Sequence, residues 1–328
     1  MRFKKDKIGG NMAFRLVGLL LLLGLIAVFP YLFADQYFLH VVIMANIIAM
    51  FALSWNLISG YMGLVNFGQC MFFGAGAYLI GFLTKAYNIS PPIGILLGGL
   101  AAVLLSLIVG IPCLRFRGAY YSIATLGFSQ VLFTLSLALP KITGGEEGIH
   151  GIPKFIQSVE GNYYFSFLLL LLSLGALTLL LRSRFGKRFI SIREDERLSE
   201  AAGIDTSRCK INGTAISAFV AGVAGAYFCY YQTQVTPDVI SEGLTFSGMA
   251  AVVFGGLGTL FGPILGAYVL TFLDEYLYFL MDYRLIVYPL VIMLMLIFSP
   301  SGIFGLLRGW IKERAYGNPS GSESNKKL

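Results

Sequence analysis

Charge is scarce in this sequence, and very little of it falls inside the apolar runs. Asp, Glu, Lys and Arg make up 12% of 328 residues and hydrophobic residues 57%, against about 25% and about 45–50% in soluble domains. One soluble core cannot enclose that much apolar surface, so lipid is the expected solvent. No Lys, Arg or His sits at the centre of a hydrophobic run, which leaves no intramembrane ion pair or proton relay. Asp274 and Glu275 are the only acidic residues well within one, near its outer boundary. His40 and His150 are isolated and read as surface residues rather than ligands. Cys70, Cys113, Cys209 and Cys229 are far apart and form no CxxC pair, so apolar packing is expected rather than zinc or a disulfide framework. The chain also lacks GxxxxGK[ST], HExxH, GxSxG and any cluster of nucleophile and base. No catalytic residue, metal ligand or cofactor is therefore assigned, and ATP hydrolysis through a phosphate loop is excluded.

What is present is a series of apolar stretches over 12–33, 37–58, 66–84, 92–114, 120–140, 163–182, 211–233, 244–258, 262–281 and 286–307. They predict an all-α polytopic membrane bundle of about ten spans, some short and broken by glycine. Period-2 alternation is absent, which argues against a β-barrel. Residues 1–7 are basic and 12–33 apolar, as at the start of a signal peptide, but no small-x-small site follows Pro30. We read a retained first helix. Residues 1–310 form one transmembrane domain in this reading, and 311–328 a polar cytoplasmic tail whose last part, 318–328, has a disordered composition.

Charge gives the bundle a side. With the N-terminus inside, segments 1–15, 115–118, 182–210 and 308–328 are cytoplasmic and hold 20 Lys and Arg with 8 acidic residues. The outer segments keep only Lys85, Lys141, Lys154 and Arg284 beside 9 acidic residues. That is the asymmetry of the positive-inside rule, and it accounts for the basic net charge without nucleic acid. A bacterial inner-membrane protein with both termini cytoplasmic is expected. Two inner turns, near Gly60–Gly63 and Gly255–Gly262, carry no charge.

The cytoplasmic loop over 182–210 is dense in both signs. Ile192, Leu198 and Ala202 among its charges predict a short amphipathic helix over Ile190–Ala202, stopped by Gly203. Arg193, Glu194, Asp195, Glu196 and Arg197 offer charge-assisted contacts to a protein partner. The alternative is a solvated basic loop serving topology alone. Outside, the Gly-rich and acidic stretch Lys141–Asn162 either receives a soluble binding protein or simply joins two helices.

Glycine marks two further places. Gly258, Gly262 and Gly266 recur every fourth residue, which on a helix gives a face where a neighbouring backbone approaches closely. Gly60, Gly63, Gly68, Gly74 and Gly76 interrupt the run before Tyr78. Broken segments in the two halves of a transporter often border its pathway. Ser54, Asn56, Asn66 and Gln69 flank the first break, and Ser122, Thr125, Ser129 and Gln130 follow at near-helical spacing. Asn56, Asn66, Gln69 and Thr125 are the path candidates, although interhelical hydrogen bonding explains such groups equally well.

Four stretches carry a resemblance: LSWNLISGYMGLVNFGQCMFFGAGAY (53–78), AYYSIATLGFSQVLF (119–133) with TGGEEGIHGIP (143–153), GKRFISIREDERLSEAAGID (186–205) and GMAAVVFGGLGTLFGPILGA (248–267). In this order the chain resembles LivM-type permease subunits of branched-chain amino acid ABC importers. The resemblance implies a membrane-embedded half-channel paired with a second, related permease. It further implies cytoplasmic ATP-binding subunits as the motor and a periplasmic substrate-binding protein as the source of solute. Arg193, Glu194, Glu200, Ala201, Ala202 and Gly203 then belong to the ATPase-coupling loop. A fuller motif has its glycine a few residues beyond the two alanines, whereas here Gly203 follows directly. Permeases for urea and short amides share the scaffold, and TGGEEGIHGIP looks closer to the amino acid type. Two readings of other classes compete, an ion-coupled secondary transporter and a structural membrane scaffold. The first lacks buried ionisable groups, and the second leaves the glycine breaks without a purpose.

Overall fold

The computed structural model describes residues 35–113, 116 and 118–277, with isolated positions 287, 290 and 293. The expected spans 12–33 and 286–307, the end of 262–281, Arg284 and the tail 311–328 lie outside the described residues.

Helix α1 (Gln36–Asn56) opens on Asp35, whose carboxylate accepts from the Tyr37 N–H at 2.9 Å. It is apolar all round, which suits a helix enclosed on every side, and most of its residues are buried. At Leu57–Tyr61 it widens into a π-turn, and the chain leaves helical geometry until α2 (Gln69–Tyr87). Asn88, in the left-handed region, ends α2, and α3 (Pro91–Cys113) begins on two prolines, which fit a first turn where no N–H is required. Helix α4 (Ala119–Ala138) and the single turn α5 (Pro140–Thr143) follow. Next come α6 (Val159–Arg182), capped by Ser158, then α7 (Arg184–Glu194), α8 (Glu196–Ala201) and the long α9 (Thr206–Gln232). Strand β1 (Ile149–His150) pairs antiparallel with β2 (Gln234–Val235), and a 3-10 turn, Pro237–Ile240, leads into α10 (Glu242–Gly255) and α11 (Gly262–Tyr276).

Among the described residues, α1 with its π-turn, α2, α3, α4, α6 and α9 are long and apolar enough to cross a membrane. Helices α10 and α11 rise only about 21–23 Å, short of the roughly 30 Å hydrocarbon core. They are antiparallel neighbours, not one interrupted span, for a Cβ on Gly266 would overlap the Ala251 carbonyl and one on Gly255 the Gly262 carbonyl. The chain therefore reverses direction at the glycines between α10 and α11.

The core forms around α1 and α9. Against α9, small residues replace knobs: a Cβ on Gly98 would lie 2.6 Å from Ala226 Cβ, so only glycine lets α3 and α9 approach so closely. The charges separate by end. Of eleven described Lys and Arg, eight lie between Arg182 and Lys210, and Lys85, Lys141 and Lys154 lie at the end that holds the β1–β2 pair.

The helix expected over Ile190–Ala202 is instead two helices. Asp195 is extended, with φ −157°, because its carboxylate turns forward to cap α8 by accepting from Leu198 N at 3.0 Å. Gly203, at φ +83°, follows the end of α8. Helix α9 starts five residues before the expected 211, since Asp205 accepts from Arg208 N at 2.9 Å. That places Lys210 in a helix rather than a loop.

Candidate functional site

The two glycine breaks meet. Asn56, at the end of α1, accepts from the Gly258 N–H at 2.9 Å and donates from Nδ2 to the Thr259 carbonyl at 2.7 Å. One buried amide thus satisfies both polarities of the turn between α10 and α11, using its NH₂ as donor and its oxygen as acceptor. Gly258 has φ +73° and lies in that turn, not on a helix. The four-residue repeat consequently does not make one face: Gly262 and Gly266 share α11, and Gly258 stands apart from them.

Arg193, the penultimate residue of α7, reaches the same junction. Its Nη1 donates to the Gly60 carbonyl at 2.7 Å. Leaving the helix at Met62 deprives Gly60 of its forward intrahelical donor, and the guanidinium supplies a charge-assisted one. A Cβ on Gly63 would stand 3.0 Å from Arg193 Cγ, and one on Gly258 3.0 Å from Arg193 Nη1. Both glycines have positive φ, so turn geometry and close approach require them together.

Below the junction, the 62–68 segment is sewn in by side chains. Trp55 Nε1 donates to the Asn66 carbonyl at 2.7 Å, and Ser122 Oγ to the Val65 carbonyl at 2.7 Å. Thr125 Oγ1 accepts from Phe67 N at 3.2 Å. Asn66 Nδ2 donates to Gln69 Oε1 at 2.9 Å, while Gln69 Nε2 donates to Ser54 Oγ and Ser217 Oγ at 2.9 and 2.8 Å. Asn56, Asn66, Gln69 and Thr125 are all buried. Asn66, Gln69 and Thr125 share this network, and Asn56 belongs to the neighbouring junction. Loop backbone can lie at membrane depth only where its polar groups are satisfied in this way.

The 182–210 segment is anchored to the bundle. Phe189 and Ile192 bury one face of α7, and Lys210 Nζ, in α9, holds Glu196 Oε1 at 2.6 Å. Glu200 Oε1 accepts from Thr206 Oγ1 at 2.8 Å. Glu194, Ala201, Ala202 and Gly203 are exposed with Arg197 and Leu198, and Leu198 is 69% exposed. A cavity of about 670 Å³ opens beside them between Met62–Phe67, the start of α4 and Ile192–Glu196.

Sequence reasoning missed the Arg193–Gly60 bond and the Glu196–Lys210 pair. A lysine within the polar first turns of an otherwise apolar helix was the available signal for the pair. Nothing local signals the bond, whose partners are 133 positions apart.

Residues 37–299 match the family described as branched-chain amino acid transport system / permease component. The chain is 31% identical to the high-affinity branched-chain amino acid transport system permease protein LivM of Salmonella typhimurium, covering 82% of this chain and 70% of that one. It is 29% identical to LivM of Escherichia coli, covering 95% and 80%. An autoinducer 2 import system permease protein, LsrC of Yersinia enterocolitica, is 30% identical over half of this chain and 46% of its own length. No solved structure matches. These relatives are transport permease subunits, not enzymes, and the chain, with its membrane-long helices, belongs to the family of branched-chain amino acid transport system permease components.

Proposed function

We propose that this permease subunit carries branched-chain amino acids inward as one half of a two-permease pathway. Cytoplasmic ATP-binding subunits drive it through α7–α8, and a periplasmic binding protein feeds it. The observation that carries the reading is Arg193, which belongs to the charged segment and yet bonds to Gly60 at the first break and lies where a Cβ on Gly258, at the second, would stand 3.0 Å from its Nη1. A displacement of α7 by an ATPase would therefore act on both breaks at once. Arg193, Glu194, Glu200, Ala201, Ala202 and Gly203 are assigned to that coupling surface. Asn56, Asn66, Gln69 and Thr125 are assigned to the wall of the path, Gly262 and Gly266 to close helix packing, and Gly258 to the turn against Arg193.

The side chains of α4 support a second permease. One face buries Tyr121, Ser122, Thr125 and Ser129, and the other exposes Ile123, Gly127, Gln130 and Thr134. An exposed amide in the middle of a span is poorly served by lipid and well served by another protein or a watery path. In this reading the six membrane-long helices, the shorter pair α10 and α11, and the stretches 12–33 and 286–307 make ten transmembrane segments in the bacterial inner membrane, with both termini cytoplasmic.

The test is uptake of labelled leucine by proteoliposomes holding the chain with its permease, ATPase and binding-protein partners. ATP-dependent uptake is expected, with copurification of the ATPase abolished when 200–203 is scrambled. Uptake that ignores ATP and collapses with a proton or sodium gradient would reject the reading in favour of a secondary transporter.

A further inference from the structure

At the end of the bundle remote from α7 and α8, we propose a binding site for the phosphodiester headgroup of an anionic phospholipid. Lys85, in the last turn of α2, and Lys141, in α5, line one cavity of about 210 Å³ with Phe82, Pro140, Ile142 and Gly148. This end keeps three of the eleven described cations, and two of the three converge on one cavity. No acidic side chain lines it, although Glu146 and Glu147 belong to the adjoining loop. Neither lysine has an ion-pair or hydrogen-bond partner among the described residues. A single negative charge held in the cavity is attracted by both ammonium groups, and those attractions outweigh the repulsion between them.

The walls decide between sources of phosphate. Phe82 lies one helical turn before Lys85 and is 40% exposed, while Ile142 adjoins Lys141 and is 53% exposed. Leu139, 46% exposed, extends the apolar rim. Cations directly above exposed apolar side chains match a lipid, whose headgroup and acyl chains meet at the same depth. A free anion makes no use of those walls. The inference rests on this end lying at a bilayer surface, and is independent of which solute is carried or what drives transport.

Native mass spectrometry of the detergent-purified chain, supplied with phosphatidylglycerol or phosphatidylcholine, tests it. The wild-type chain should retain phosphatidylglycerol preferentially. The double variant Lys85→Gln with Lys141→Gln should retain it about 30-fold less, at about a factor of five for each lysine, and Lys85→Arg with Lys141→Arg should keep it. Equal retention by wild type and the Gln pair overturns the proposal. Stabilisation by millimolar inorganic phosphate equal to that from the lipid would assign the cavity to a free anion and overturn the lipid assignment. Unchanged lipid retention with lost docking of the binding protein would make it a protein contact, overturning it likewise. Leucine uptake is measured separately, so a failure of the transport reading leaves this result interpretable.

Discussion

Asn56 and Gly258 lie 202 positions apart in sequence, and the side chain of the first accepts from the backbone N–H of the second at 2.9 Å. Through that contact the break after α1 and the turn after α10 become a single joint, with the Arg193 guanidinium against it. If the joint transmits force, its parts should fail in different ways.

Arg193→Ala removes the donor to the Gly60 carbonyl and leaves the exposed face of α8 intact. ATPase subunits should still copurify, while ATP-dependent uptake falls at least about tenfold, the effect expected for a charge-assisted bond of about 1.5–3 kcal/mol. Parallel measurement of pull-down and uptake checks it. Loss of both together would place Arg193 in the docking surface instead.

Two glycines should behave oppositely. A side chain at Gly266 meets the Ala251 carbonyl, whereas a Cβ at Gly127 meets nothing within 4 Å. Gly266→Leu should destabilise the isolated chain strongly, as overpacking does, by about 1–3 kcal/mol or more. Gly127→Leu should leave its melting temperature in detergent unchanged or higher, yet weaken pairing with a second permease. Thermal melts and size-exclusion chromatography of the coexpressed pair separate the outcomes.

The Glu196–Lys210 pair is asymmetric, with the lysine side chain 5% exposed and the glutamate side chain 25%. Glu196→Ala leaves a buried ammonium without its partner and should cost about 3–5 kcal/mol. Lys210→Met leaves a carboxylate that can turn to water, so its cost should be well below that. A ranking with Lys210→Met as the more damaging change, read from thermal unfolding, would contradict this account.

Gln69→Leu removes the donor that Ser54 and Ser217 share and the acceptor of Asn66. Ser54 and Ser217 keep their bonds to the Phe51 and Ser54 carbonyls, so Asn66 Nδ2 is the group orphaned, and the loss should be about 1–3 kcal/mol, seen as a lower melting temperature. Gln69→Glu should be worse, since a buried carboxylate has no cation near it in this network.

Much of this architecture is legible along the chain, because membrane helices announce themselves by uninterrupted apolarity. The expected 92–114 and the observed Pro91–Cys113 differ by one residue at each end. What local pattern could not carry is partnership. The polar residues around the first break stand out in the sequence, but only the fold shows that Asn66 and Gln69 hold each other and a displaced loop. The repeat at Gly258, Gly262 and Gly266 implied one helical face, and the chain turns between the first and second of them. The stretch Ile190–Ala202 reads as a single helix from its apolar positions, while one carboxylate, Asp195, is enough to end the first helix and start the next.

The π-turn at Leu57–Tyr61 has a consequence for how tolerant this chain is to insertion and deletion. A turn one residue wider than an α-turn sets everything after it out of phase by a residue, about 100° around the axis. Removing one residue there would heal the winding, and α1 would end on a regular α-turn. The Gly60 carbonyl would then face about a quarter-turn away from Arg193. Every side chain named at the joint would still be present in the sequence, and the bulge alone decides whether they meet.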